Sequence, residues 1–194
     1  MPTDMAERRA AGAAKIMIIR HAEKPAKDGC PPFGVDQDGK ADEDSLSPLG
    51  WQRAGALTVL FAPARGALQD QALASPRHLF ACGAEEKRKR LRPVQTVTLL
   101  AERVGTKVDR SFQKGQEVEL ADHVMGLEAP VLISWEHNNL HLIANRILGD
   151  SSTVPQGWPE DRFDVVWVFD QVDGSYQFRQ VPQLLLPGDR EAGI

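Results

Sequence analysis

Lys15-Ile-Met-Ile-Ile19 is an unbroken apolar run rich in β-branched residues. Such a run predicts a strand buried on both faces, as in a parallel sheet. Val131-Leu-Ile-Ser-Trp135, bounded by Pro130, predicts a second such strand, and Phe163 to Phe169 a third. Shorter strands are expected at His78 to Ala81 and near Lys107–Phe112. Between them the apolar period changes from a continuous run to helical spacing. Ser47 reads as an N-cap with Pro48 at the first helical position. Leu49, Arg53, Ala56, Leu57 and Leu60 follow at helical spacing, so a helix is expected over 48–61. Pro93 opens the next helix, with Val94, Val97, Thr98, Ala101 and Val104 on one face and Gly105 as its stop. Two more helices are expected near 116–125 and from Asn139 to about Leu148. Asp173-Gly174 is a hairpin signal that returns the chain along Tyr176 to Val181. Strands alternating with helices and ending in a hairpin predict an α/β fold with a mostly parallel sheet. No internal repeat interrupts the pattern, and residues 1–194 are expected to form a single domain with residues 1–13 flexible. The segment 23–46 has no period and carries Pro25, Pro31 and Pro32. A loop of this length is usually functional, and it is the candidate lid.

Composition narrows the function classes. The chain has 194 residues, of which 42% are hydrophobic and 26% charged, the balance of a globular protein with a sizeable core. The net charge of −4 disfavours a general nucleic-acid binder or an anionic membrane surface as partner. Cys30 and Cys82 are too few for a disulfide framework or a four-thiolate zinc site, and they read as free thiols in a reducing compartment. Ile16–Ile19 is too short for a signal-peptide core, so the expected location is cytoplasmic.

The chemistry is expected at the carboxyl ends of the strands, where ligands bind in open parallel sheets. Two buried strands end in the same way, Ile19 leading into Arg20-His21 and Trp135 into Glu136-His137. If those strands are neighbours, both imidazoles reach one crevice. Arg92, just before Pro93, falls at the N-cap region of its helix, where free N–H groups and the dipole favour anions. Its guanidinium adds a fork suited to phosphate oxygens. Asn138 and Asn139 are good caps for the helix after His137. Two histidines, two arginines and two helix N-termini at one sheet edge describe a phosphoryl site.

The same residues resemble a known family. Ile18-Ile-Arg-His-Ala-Glu23 is similar to the Arg-His-Gly-type signature of the histidine phosphatase superfamily, which has the phosphoglycerate mutase-like fold. Leu46-Ser-Pro-Leu-Gly50-Trp-Gln-Arg-Ala54, Arg92-Pro-Val-Gln-Thr96 and Val131 to His137 resemble three further family segments, in family order. The resemblance implies a three-layer architecture and a small, phosphatase-type member. It implies that His21 is a nucleophile forming a phosphohistidine, and that Arg20, Arg92 and His137 bind the phosphoryl oxygens. It implies no metal and no cofactor, and a phosphorylated small molecule or phosphoprotein as substrate. The mutase-type extension of the first segment is missing, which favours a phosphatase over a mutase. The short stretch between Gly105 and Pro130 leaves little room for the cap usually inserted there. From the same stretch comes the candidate general acid, Glu117, with Glu119 and Asp122 nearby. Without an acid, a good leaving group such as an aryl phosphate or phosphoramidate is favoured. Ala22 and Glu136 replace glycines common in the family. A carboxylate at 136 repels phosphate unless it points away.

Other readings compete. A catalytically silent phosphate-binding module could use the same fold. His137 and His141 stand four apart on a presumed helix, a metal-ligand spacing, and allow a metallohydrolase. Glu23 is expected to orient an arginine by ion pairing. The acidic loop 23–46, with Asp36, Asp38, Asp42, Glu43 and Asp44, repels small polyanions unless it sits away from the pocket. Lys87-Arg-Lys-Arg90 is read as a solvated face, the four tryptophans as core, and Cys82 as buried. The C-terminal Leu184-Leu-Leu186 segment could cover the core or a partner, and the oligomeric state is open.

Overall fold

The computed structural model describes residues 15–26, 28–83 and 91–194. The expected flexibility of residues 1–13 and the basic stretch Lys87 to Arg90 lie outside the described residues. The chain order is β1 (Lys15–Arg20), α1 (Pro48–Phe61), β2 (His78–Ala81), α2 (Leu91–Val104), β3 (Val108–Asp109), α3 (Glu117–Met125), β4 (Val131–Trp135), α4 (Leu140–Leu148), β5 (Val165–Val172) and β6 (Ser175–Pro182). The six strands form one sheet in the order β3-β2-β4-β1-β5-β6. Strands β3, β2, β4 and β1 run parallel, while β5 is antiparallel to β1 and β6 to β5.

Strand β1 shows why an unbroken apolar run was needed. Its alternate residues face opposite ways. Ile16 and Ile18 pack with Leu120, Val124, Leu140 and Ile143 of α3 and α4. Met17 and Ile19 pack with Leu57, Leu60, Val97 and Leu100 of α1 and α2. Helices on both faces make three layers, as expected. Asp173 and Gly174 both have positive φ, so the β5–β6 hairpin turns as its Asp-Gly pair required.

Three expectations need correction. Helix α2 begins at Leu91, so Arg92 lies in its first turn rather than at the N-cap. Strand β5 begins at Val165, leaving Phe163 in the preceding segment. Leu49 is exposed, and the buried face of α1 is carried by Gly50, Arg53, Ala54, Leu57, Leu60 and Phe61. No helix is long and apolar enough to cross a membrane among the described residues. The tail beyond Pro182 folds back on its own chain: Arg162 donates to the carbonyls of Ala192 and Gly193 at 2.6 and 3.0 Å.

Candidate active site

Strands β1 and β4 are neighbours in parallel register, Arg20 opposite Trp135. Their ends therefore lie side by side. The His21 backbone N–H extends the ladder by one bond to the Trp135 carbonyl at 3.0 Å. Beyond it the His21 and His137 rings meet edge to face, with centroids 6.4 Å apart. The neighbouring strands thus bring the two imidazoles together at one edge of the sheet.

Nδ1 of His21 is 2.7 Å from the Ala22 carbonyl oxygen. A carbonyl only accepts, so Nδ1 carries the proton and Nε2 keeps its lone pair. The ring is 5% exposed. Burial pushes its pKa down to about 3, and the nearby positive charge of Arg20 and Arg92, with His137, acts in the same direction against the hydrogen bond to Ala22. His21 is therefore a neutral imidazole at physiological pH.

Arg20 is 1% exposed. Its Nη1 donates to the carbonyls of Pro159, Glu160 and Arg162 at 2.9, 2.9 and 2.8 Å. The Phe163 ring stacks on the guanidinium, with 3.8 Å from Cζ to the ring centroid. Nε and Nη2 are buried with no partner. Burial lowers the Arg20 pKa to about 10, with Glu160, Glu23 and Asp161 opposing, so the group stays charged. An unpartnered charged fork in the interior is costly unless an anion meets it.

Other motif residues hold the segment after β1 in place. Thr96 accepts from the Ala22 N–H at 2.8 Å and donates to the Arg92 carbonyl at 2.7 Å, coupling β1 to α2. Ser47 caps α1 by accepting from Gly50 N–H at 3.2 Å and donates to the Glu23 carbonyl. A Cβ on Gly50 would stand 2.4 Å from the Glu23 carbonyl oxygen, so glycine alone lets α1 approach. Glu23 does pair with an arginine: its Oε1 accepts from Arg53 Nε and Nη2 at 2.9 and 2.8 Å. The same guanidinium holds Asp189 bidentately, at 2.7 and 3.1 Å, and Gln183 at 2.9 Å.

Arg92 donates to the carbonyls of Ser45 and Glu43 at 3.2 and 2.6 Å. Burial lowers its pKa, while Asp44, Asp42 and Glu43 oppose the shift. The loop is anchored on both helices: Trp51 of α1 donates to the Val35 carbonyl, and Gln95 of α2 accepts from Leu46 N–H and donates to Ser45. A cleft of about 740 Å³ runs beside Arg92, walled by Lys24, Pro25, Phe33, Asp42, Glu43 and Asp44. The acidic loop therefore walls the cleft beside Arg92.

Glu117, the candidate general acid, is held by hydrogen bonds from three residues. It is 3% exposed. Its oxygens accept from the Gly115 N–H, Trp135 Nε1 at 3.1 Å and Asn139 Nδ2 at 2.8 Å. Through these bonds the Glu117 side chain ties α3 to β4 and to the start of α4. Asn139 spends its side chain on that tie and makes no capping bond to α4. Glu136 meets Lys114 at 3.5 Å, which supplies the counter-charge its position needed. The presumed helical pairing of His137 with His141 is not formed, because α4 begins only at Leu140. Among the described residues no group of three or more His, Cys, Asp or Glu side chains is gathered to hold a metal. Cys82 is buried and Cys30 exposed.

Phe163 and the carbonyls of 159–162 were not legible as site elements. Any residue can supply a carbonyl, so the only sequence signal was Trp158-Pro159, which marks a turn.

No protein-family model and no curated protein matches the sequence. Solved structures do. A phosphoserine phosphatase mutant from Entamoeba histolytica, in complex with phosphoserine, superposes with a TM-score of 0.52 at 9% identity, covering 84% of this chain and 94% of that one. SixA from Agrobacterium tumefaciens, proposed to be a phosphohistidine phosphatase, gives 0.50 at 14% identity, covering 88% and 97%. The chain has the phosphoglycerate mutase-like fold of these proteins.

Proposed function

We propose that the protein is a phosphatase of the histidine phosphatase type, working through a phosphohistidine on His21. The observation that carries this reading is the buried pair at the end of β1. A neutral His21 with Nε2 unprotonated lies beside an arginine whose Nε–Nη2 fork is charged, buried and unpartnered. Nε2 attacks phosphorus, the P–O bond to the leaving group breaks, and the fork takes two phosphoryl oxygens. Arg92 and His137, which both act electrostatically on His21, are the further groups placed to stabilise the transition state. Water then attacks the phosphohistidine, releasing phosphate and restoring neutral His21. The residues that carry out these steps need no metal or cofactor.

With the Glu117 carboxyl engaged by Gly115, Trp135 and Asn139, we favour substrates whose leaving group departs without a strong acid, aryl phosphates and phosphoramidates among them. The test is hydrolysis of p-nitrophenyl phosphate with excess chelator. Turnover that persists supports the reading. Loss of turnover restored by zinc would overturn it in favour of metal chemistry. Vanadate binding without turnover on any phosphomonoester would instead mark a silent binding module.

The acidic wall of the cleft predicts a charge preference. Glu43→Gln with Asp44→Asn should lower KM for phosphoserine and for p-nitrophenyl phosphate alike, roughly 3- to 10-fold at low ionic strength, because both substrates enter as dianions. High salt should erase the difference, because exposed charges are screened. An effect that ignores salt would show that the carboxylates act by another route.

A further inference from the structure

We propose that Phe163 is a positioning residue that fixes the plane of the Arg20 guanidinium and shields one side of the His21 ring. The inference rests on the phosphatase reading above.

A guanidinium at the end of a strand has several side-chain torsions to settle, and only one orientation offers Nε and Nη2 together as a fork. Three carbonyls gather on a single nitrogen, Nη1, and fix one corner of the plane. They leave rotation about that corner open. The Phe163 ring removes it, lying 3.8 Å from Cζ against one face. Stacking on an aromatic face is a geometry that suits arginine and grows stronger when water is excluded. The same ring stands 6.3 Å from the His21 ring centroid, tilted at 52°. One side chain therefore touches both the arginine and the flank of the nucleophile.

The segment that carries Phe163 is itself held. Trp158 Nε1 donates to the Arg162 carbonyl at 2.8 Å, the same oxygen that Arg20 uses. Arg162 in turn pairs with Asp164 at 2.7 Å. Phe163 thus projects from a braced turn between two bonded arginines. The titratable and charged groups that act on His21 are Arg20 just before it, Arg92 from α2 and His137 after β4. Glu160 and Asp161, on the turn with Phe163, and Glu23 act on Arg20.

The experiment compares wild type with Phe163→Leu, Phe163→Ala and Phe163→Tyr. It reads the inhibition constant of inorganic phosphate, the pH profile of kcat/KM on p-nitrophenyl phosphate, and thermal stability. Leucine keeps bulk but not the π face, so the phosphate inhibition constant should rise about 10-fold while the acid limb stays in place. Tyrosine should restore wild-type inhibition within about 2-fold, since it keeps the ring. Alanine admits water beside His21, so the acid limb should move to higher pH, toward the ordinary imidazole value of about 6.5. Should alanine fail to fold, leucine and tyrosine carry the test.

A leucine variant that melts earlier but binds phosphate like wild type would overturn the inference, leaving Phe163 a packing residue only. A wild type that neither binds vanadate nor turns over would overturn the phosphatase reading, and this inference with it.

Discussion

His21→Ala is expected to lose turnover on p-nitrophenyl phosphate by at least about 10⁴-fold, the scale seen when a nucleophile is removed from a covalent mechanism. Arg20 remains in the variant, so vanadate should still raise its melting temperature. The same variant has a second signature. His21 is held neutral with a pKa of about 3 in the fold, whereas an unfolded histidine titrates near the ordinary value. Between those two values the unfolded chain binds a proton that the folded one refuses. Wild-type stability therefore falls as pH drops below about 6.5, by about 3 kcal/mol at pH 4. Without the imidazole this component of the acid sensitivity disappears, and stability should fall less steeply over that range. Urea midpoints at neutral pH and near pH 4 measure the difference. Parallel pH dependences in the two proteins would show that His21 is not held neutral by the fold. Activity retained by the variant would remove His21 as nucleophile.

The largest expected loss of stability lies at a position with no direct hand in the chemistry. Arg53→Met leaves the carboxylates of Glu23 and Asp189 facing each other without their shared cation. Arg53 is 4% exposed, so water does not replace it. Removing one partner of a buried charge cluster costs about 3–5 kcal/mol. The full substitution Arg53→Met with Glu23→Gln and Asp189→Asn should recover much of that, because no buried charge is then left unpaired. Denaturant midpoints separate the two variants, and equal stabilities would refute the account. The cluster also gives the fold a second acid sensitivity. Burial pushes the Asp189 carboxyl up, but the hydrogen bond from Arg53 and those from the Leu185 and Leu186 N–H groups outweigh it and hold it below the usual carboxylate range. Its contribution is present above the ordinary aspartate value and is lost as pH falls through the lowered one. Because Glu23 follows His21 by two residues and Asp189 lies beyond β6, Arg53 ties the segment after β6 to the site.

Much of this was legible along the chain. β1 and β4 are apolar on both faces because helices cover both faces, and that condition writes itself as an unbroken run. Helix α1 was readable from Ser47 and Pro48, since caps act through near neighbours. His21, Arg20, Arg92 and His137 were readable as a set because each stands at an element end that the sheet rule sends to one edge. Arg53 was not: in sequence it occupies an apolar face as an anomaly. Its partners lie 30 and 136 residues away. The partners of Glu117 were hidden for a similar reason. Position near a helix start marks it as able to reach the site, but its donors come from Trp135 and Asn139, and only the packing of α3 against β4 makes them a cage.

The sequence by itself determined the order of strands and helices, the faces they bury and the histidine that ends β1. Those properties depend on period, caps and turns, which act over a few residues. The tertiary structure decided the protonation of His21, the plane of Arg20 and the burial of Arg53. Each of these depends on groups brought from distant segments, and several of those groups are backbone carbonyls, which every residue type carries alike.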